Sequence, residues 1–175
     1  MNKVVSLTYM RGNPPSKGHL HVYNRIVAVK DAQHYVFVSS KTGDKKNPLT
    51  AQQKLPFLKK MFPAATVEIV SGGYIEAFKK VSPADKLVIV VGGDRVDVVE
   101  NLANKYNHKE YDFGEIQVIN AGSRQHDTLS ATKMRQWAKD GDKDAFFGGC
   151  SDRLSKDDKQ KLYDLVRSQL EKLDK

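Results

Sequence analysis

The chain has 175 residues, which fits a single domain with a substantial hydrophobic core. Its formal charge is +8, from 29 Lys and Arg against 21 Asp and Glu, and this excess favours an anionic partner. The basic residues are dispersed and form no stripe interleaved with aromatic residues, so we favour a nucleotide over a nucleic acid as that partner.

Composition also indicates where the protein works. No apolar run of about eighteen residues is present and the start of the chain has no signal-peptide pattern, so we expect a soluble, cytoplasmic protein without membrane contact. The single cysteine, Cys150, cannot form an internal disulfide, in agreement with a reducing compartment. No histidine neighbours it in the sequence, which favours a small buried filler over a nucleophile.

Short apolar and β-branched runs alternate with helical patterns as far as Asn120. Five strands are predicted, over Val4 to Met10, Tyr35 to Ser40, Thr66 to Val70, Leu87 to Val91 and Glu115 to Asn120. Helices are predicted between them, over residues 17–30, 51–62, 74–80 and 95–106. This alternation predicts an α/β fold with a Rossmann-like, doubly wound, five-stranded parallel sheet, which binds ligands at the carboxyl ends of its strands near the topological switch point.

Helical segments follow the predicted sheet. The pattern after Ser130 is helical over residues 131–139, near Asp144, and over 155–173, where leucines recur on one face. We expect a single domain over residues 1–175, with residues 142–175 as a helical extension packed on it. Within the sheet region, the helix that begins with a capping box at Thr50 contains Pro56, which is expected to kink or split it.

The segment from Arg11 to His19 joins the first strand to the first helix through a tight turn, Arg-Gly-Asn-Pro-Pro-Ser-Lys-Gly-His. The first amides of a helix have no partner within the helix and the helix dipole favours anions, so such a junction can bind phosphate. Ser16 is a candidate N-cap, and Gly18 allows close approach of the backbone to a phosphate. His19, in the first helical turn, can direct an N–H at a phosphate oxygen.

A second helix start lies after the fifth strand. Ser130 is a candidate N-cap there, which leaves the amides of Ala131 and Thr132 as donors for an anion. Arg135 follows within one helical turn and adds a positive charge.

Two loops beyond the second and fourth strands carry further polar residues. Lys45 and Lys46 precede Pro48 in the first loop. In the second loop, Gly92 and the glycine after it permit close backbone approach to a ligand, and the carboxylate of Asp94 can accept hydrogen bonds from ribose hydroxyls or cap the following helix.

The two helix starts resemble the signatures of the HIGH-motif nucleotidyltransferases. Asn13 to His19 is similar to the first signature, a Gly-aromatic-x-Pro stretch that ends in (His/Thr)-x-Gly-His, with Ser16 at the His/Thr position. The glycine that many relatives place after the strand corresponds to Met10 or is shifted to Gly12. The second helix start resembles the second signature, Ile-Ser-x-Thr-x-x-Arg, through Ser130, Thr132 and Arg135.

The loops extend this resemblance. Lys46, with Lys45 as second choice, resembles the lysine that phosphopantetheine adenylyltransferase carries before a Pro-containing turn. Gly92 to Asp94 resembles the Gly-x-Asp segment of nicotinamide mononucleotide adenylyltransferases. The stretch from Gly92 through Asn104-Lys105-Tyr106-Asn107 and Asn120-Ala121-Gly122-Ser123-Arg124 to Arg135 looks like the cytidylyltransferase-like proteins of large tailed phages. That resemblance covers most of the chain, and a phage protein would act in the host cytoplasm.

The resemblance implies transfer of a nucleoside monophosphate from ATP, in preference to CTP, to a small phosphorylated acceptor, with release of pyrophosphate. Nicotinamide mononucleotide is the preferred acceptor. His19 and Lys46 would face the α-phosphate, with Arg135 on the leaving pyrophosphate. The implied nucleotide-binding set is Arg11, Gly12, Asn13, Ser16, Gly18, Gly92, Asp94, Ser130, Ala131 and Thr132.

The sequence predicts no metal site made by the protein itself, because its histidines lack partners at metal-ligand spacing. Magnesium would be carried by the triphosphate. The alternative function is a module that keeps the fold without turnover and binds a nucleotide, a nucleic acid or an assembly partner. A homo-oligomer is left open.

Overall fold

A computed structural model describes residues 3–122 and 131–174. Its five strands are β1 (Val4–Met10), β2 (Gln33–Ser39), β3 (Thr66–Val70), β4 (Ala84–Val91) and β5 (Phe113–Asn120). They form one sheet in the order β3-β2-β1-β4-β5, and every neighbouring pair is parallel. The predicted α/β fold with a doubly wound, five-stranded parallel sheet is therefore confirmed.

Seven α-helices occur in the described residues. They are α1 (His19–Val27), α2 (Ala51–Met61), α3 (Tyr74–Val81), α4 (Val96–Tyr106), α5 (Ala131–Asp140), α6 (Lys143–Gly149) and α7 (Lys156–Leu173), with a short 3-10 turn at Gly93–Arg95. None of the helices in residues 3–122 and 131–174 has the length and apolarity needed to cross a membrane.

Successive side chains of a strand point to opposite faces of the sheet, and this produces one hydrophobic core on each face. In β1, Val5 and Leu7 pack on the face covered by α3 and α4. Met10 packs on the opposite face, which α1 and α2 share with residues from α5, α6 and α7. Cys150 is buried in this second core, which confirms it as an apolar filler, and burial raises the pKa of its thiol to about 12.

Several element boundaries differ from those predicted. β2 begins at Gln33 rather than Tyr35, because pairing with β1 extends the strand into polar residues. α1 begins at His19 rather than at residue 17, since residues 17 and 18 form a turn in which the N–H of His19 donates to the carbonyl of Ser16 at 3.1 Å.

Three local interpretations differ from the structure. Of the two outcomes expected at Pro56, the split is wrong: α2 continues through Pro56 as one helix, held at its start by the capping box of Thr50 and along its length by buried residues such as Leu58. Ser16 is not the N-cap of α1, since that position belongs to Gly18. Asp94 does not cap α4, whose N-cap position is occupied by Arg95 without a side-chain bond.

Candidate active site

Two of the predicted site segments, residues 11–18 and 92–94, follow the carboxyl ends of β1 and β4. These strands are neighbours, and the chain builds the sheet outwards from them in opposite directions, so the switch point lies between them. The segment after β1, residues 11–18, is called the first turn below. The segment after β2, residues 40–47, is called the lysine loop.

The first turn is fixed from several sides. The amide of Asn13, which is fully buried, donates to the carbonyl of Leu49 at 2.9 Å and accepts from the Leu49 N–H at 2.9 Å. The N–H of Lys17 donates to the carbonyl of Gly149 at 2.8 Å. Gly12 has φ of +57°, and a Cβ at that position would contact Leu58, so both its conformation and its surroundings favour glycine.

His19 is oriented by the turn that precedes it. Its Nδ1 accepts a hydrogen bond from the backbone N–H of Ser16 at 3.1 Å, and the buried Ser16 hydroxyl lies 3.4 Å from the same nitrogen. A neutral imidazole that accepts at Nδ1 carries its proton on Nε2. The turn therefore sets His19 in the tautomer whose Nε2 is a donor.

Arg135 connects the two predicted signatures directly. Its Nη1 donates to the carbonyl of Asn13 at 2.9 Å, and its Nη2 donates to the hydroxyl of Thr132 at 3.2 Å. The start of α5 thus lies against the first turn although 122 residues separate Asn13 from Arg135. Ala131 is the first residue of α5, and Ser130 lies outside the described residues.

Positive charge is concentrated where these segments meet. Burial lowers the pKa of Arg135, the neighbouring Arg11 lowers it further, and the carboxylate of Asp44 opposes the change. The two guanidinium groups are therefore close enough to repel each other, and an anion placed between them would relieve that repulsion.

The lysine loop is held by exposed contacts. Asp44 accepts hydrogen bonds from the backbone N–H groups of Lys46 at 2.9 Å and Asn47 at 2.8 Å. Desolvation opposes ionisation of Asp44, but these bonds, the Asn47 amide and nearby Arg11 lower its pKa overall. The Lys45 ammonium forms an ion pair with Asp174 at 3.1 Å, with 69% of the Lys45 side chain exposed, whereas the Lys46 side chain has no polar contact in the described part of the chain.

The end of β4 lies at the same edge of the sheet as the first turn. The N–H of Gly93, the residue after Gly92, donates to the carbonyl of Gly122 at 3.0 Å. A Cβ on Gly93 would lie 3.1 Å from the side chain of Asn120. The glycine therefore allows the ends of β4 and β5 to approach each other closely. Asp94 is exposed in the 3-10 turn that follows.

Two aromatic residues lie at the same edge, on the other face of the sheet. The ring centroids of Tyr9, at the end of β1, and Tyr74, at the start of α3, are 5.1 Å apart. Burial raises the pKa of Tyr74 to about 12, and nearby Arg95 opposes the shift. The sequence did not indicate this pair, because single tyrosines at strand and helix ends are common.

Lys54 was also missed from the sequence. Its side chain is fully buried, and its ammonium donates to the carbonyl of Arg11 at 2.5 Å. A signal was present, because Lys54 occupies the same helical stripe as the buried Ala51, Leu58 and Met61 of α2.

No protein-family model and no curated protein matches the chain. Among solved structures, it is similar to the bifunctional NMN adenylyltransferase/ADP-ribose pyrophosphatase of Francisella tularensis, with a TM-score of 0.56 and 18% identity over 98% of this chain and 50% of that one. It is also similar to Thermotoga maritima TmcAL bound to alpha-thio ATP, with a TM-score of 0.60 and 8% identity over 97% of this chain and 56% of that one. The chain has their fold.

The chain spans about half the length of each of these two proteins. At such identities the likeness shows a shared fold and leaves the reaction to be argued from the site. The resemblance to phage proteins stays a prediction from the sequence.

Proposed function

We propose that the protein is a nucleotidyltransferase that transfers a nucleoside monophosphate from ATP to a small phosphorylated acceptor. The observation that carries this proposal is the hydrogen bond from Arg135 to the carbonyl of Asn13. It brings together a helix start with an oriented histidine and a helix start with an arginine, which is an arrangement suited to a polyphosphate. The fold shared with an NMN adenylyltransferase and with a protein bound to an ATP analogue agrees with it.

In the proposed reaction, a phosphate oxygen of the acceptor attacks the α-phosphorus of ATP. The bond from that phosphorus to the bridging oxygen of the β-phosphate breaks, and pyrophosphate leaves with the electron pair. His19, through Nε2, and Lys46 would stabilise charge on the α-phosphate, while Arg135 and Thr132 would hold the departing phosphates. Catalysis then consists of positioning and electrostatic stabilisation, without a covalent enzyme intermediate.

Magnesium would screen the triphosphate charge and would come with the nucleotide. The first turn carries the guanidinium of Arg11 and is bonded to Arg135 and His19. The two guanidinium groups are positively charged and His19 presents an N–H at Nε2, so these groups suit phosphate oxygens rather than a cation. Asp44, the carboxylate beside them, is used by its own turn. This donor set fits a metal bound through the triphosphate.

Of the two lysines, we propose Lys46 for the reaction, because Lys45 is held by Asp174. For the acceptor we propose nicotinamide mononucleotide. Tyr9 and Tyr74 offer aromatic rings for a planar base, and Arg95 beside them offers a cation for a phosphate.

The experiment is a pyrophosphate-release assay with ATP and CTP, each against a panel of phosphorylated acceptors that includes nicotinamide mononucleotide. We expect release that requires an acceptor, is faster with ATP, and yields the dinucleotide by mass spectrometry. His19→Ala protein serves as the control for contaminating activity. Nucleotide binding without release for any pair would instead favour the module without turnover.

A further inference from the structure

We infer that Lys54 is a positioning residue of the nucleotide site, whose buried ammonium fixes the backbone of the first turn and maintains a positive charge behind it. This inference rests on the proposed function, because the ligand it concerns is the triphosphate. Lys54 has no part in the sequence signatures and lies on α2, outside both helix starts.

The environment of Lys54 is unusual for a lysine. Its side chain is 0% exposed, and within residues 3–122 and 131–174 no carboxylate lies within ion-pair distance of its ammonium. Ion-paired lysines elsewhere in that part of the chain, such as Lys60 with Asp158, keep their side chains at least partly in solvent. An ammonium buried without a counter-ion destabilises a fold, so its presence calls for a role.

The contact that Lys54 makes determines the direction of one backbone amide. Its ammonium binds the carbonyl of Arg11, and the peptide group between Arg11 and Gly12 is planar and trans, so the N–H of Gly12 points the opposite way. Gly12 is buried, yet its N–H has no acceptor within the described residues. A buried donor of this kind requires a partner, and an anion at the first turn would provide one.

Charge adds a second effect. A cation in a poorly solvated position acts over a longer distance than one in water, so the ammonium contributes positive potential to the first turn. Burial lowers the pKa of Lys54 to about 8. The first turn carries Arg11 and Lys17, and His19 and Arg135 are bonded to it. The shift is caused by burial rather than by any of these groups.

The affinity for the triphosphate should depend on pH through Lys54. Lys54 is charged in the folded protein below about pH 8 and loses its proton above that value. Triphosphate affinity should therefore weaken as the pH rises from 7 to 9.5. An arginine at position 54 would stay charged throughout this range and would remove that dependence.

The test measures the affinity of a non-hydrolysable ATP analogue by isothermal titration at pH 7 and pH 9.5. It compares wild type, Lys54→Met, Lys54→Arg and Lys59→Met, an exposed lysine on the same helix. Thermal unfolding of each variant reports whether the fold is retained. At pH 7 we expect Lys54→Met to bind about tenfold or more weakly, the scale of one hydrogen bond to a charged group.

We expect wild type and Lys59→Met to lose affinity together at pH 9.5, and Lys54→Arg to show no such loss. Equal affinity of folded Lys54→Met and wild type at pH 7 would overturn the inference. If Lys54→Met does not fold, the affinities of wild type and Lys54→Arg at the two pH values decide the question. A loss of affinity in Lys54→Arg at pH 9.5 equal to that of wild type would overturn the inference. Wild-type protein that binds no nucleotide would overturn the proposed function, and this inference with it.

Discussion

The first turn and the lysine loop both reach the same edge of the sheet, but they are built differently. The first turn is mostly buried, and residues far away in sequence hold it through Asn13, Lys17 and the carbonyl of Arg11. The lysine loop is exposed from residue 41 to residue 46, and its bonds come mainly from its own Asp44.

The two segments would therefore contact a phosphate in different ways. Donors that stabilise a transition state work best when they are oriented before the substrate arrives, which the buried turn provides for His19. An exposed lysine on a loop must be brought to its position and is partly screened by water. We therefore expect changes at the first turn to reduce turnover more than changes in the lysine loop.

The largest effect should come from His19→Ala. Loss of one oriented transition-state donor should lower turnover about a hundredfold or more. Circular dichroism and steady-state kinetics on the best substrate pair would check this, with His108→Ala at the opposite end of the sheet as the control. Turnover within a few fold of wild type would remove His19 from the mechanism and erase the contrast between the two segments.

Arg135→Ala should chiefly weaken binding of the triphosphate, because its guanidinium would donate charge-assisted hydrogen bonds to the phosphates. The expected loss is about 2 kcal/mol or more, roughly thirtyfold in affinity, by titration with a non-hydrolysable ATP analogue. Arg135→Lys should recover little, since a single ammonium cannot bind both the Asn13 carbonyl and a phosphate in the same geometry. Wild-type affinity in either variant would contradict this assignment.

The two lysines of the loop provide the sharpest comparison within it. Lys46→Ala should lower turnover about tenfold, the smaller effect expected of a partly screened charge. Lys45→Ala should change turnover little, because it removes an exposed ion pair with Asp174. Measured kcat and KM for both variants would decide between them, and a larger loss for Lys45→Ala would reverse the proposed roles.

The smallest effect should be that of salt on nucleotide binding. From 50 to 200 mM salt, at fixed free magnesium, affinity for ATP should fall by no more than about tenfold, because a small triphosphate lacks the counterion atmosphere of a polymer. Binding of a nucleic acid should fall far more steeply. Fluorescence titrations of both ligands would show it. Sequence-dependent nucleic-acid binding that survives at 200 mM, without nucleotide affinity, would favour the binding module.

The sequence predicted the sheet well because its three central strands have long runs of buried residues. Val4–Met10 and Thr66–Val70 were predicted with the bounds observed, since their apolar runs end at polar residues. Strand starts were missed where polar residues join the sheet only through pairing, as Lys86 does opposite Glu115. Pairing between distant segments is not visible in a local pattern.

The site was predicted in part. Local spacing placed His19 and Arg135 at helix starts, and the structure brings the two segments together. The N-cap at Ser16 was predicted wrongly, because the chain first makes a turn in which the N–H of His19 donates to the carbonyl of Ser16, so that α1 begins at His19 with Gly18 at the N-cap position. Lys54 was missed because a lysine among glutamines normally indicates a solvent-facing position.

The bonds that join distant segments to the first turn share one property. Asn13 binds the main chain of Leu49, Lys54 binds the carbonyl of Arg11, and Arg135 binds the carbonyl of Asn13. A carbonyl is present whatever residue carries it, so a substitution that removes one of these long side chains cannot be compensated by changing the side chain opposite. During evolution, these positions should hold their residues individually rather than vary in correlated pairs, and correlated variation would fail to reveal how the site is held together.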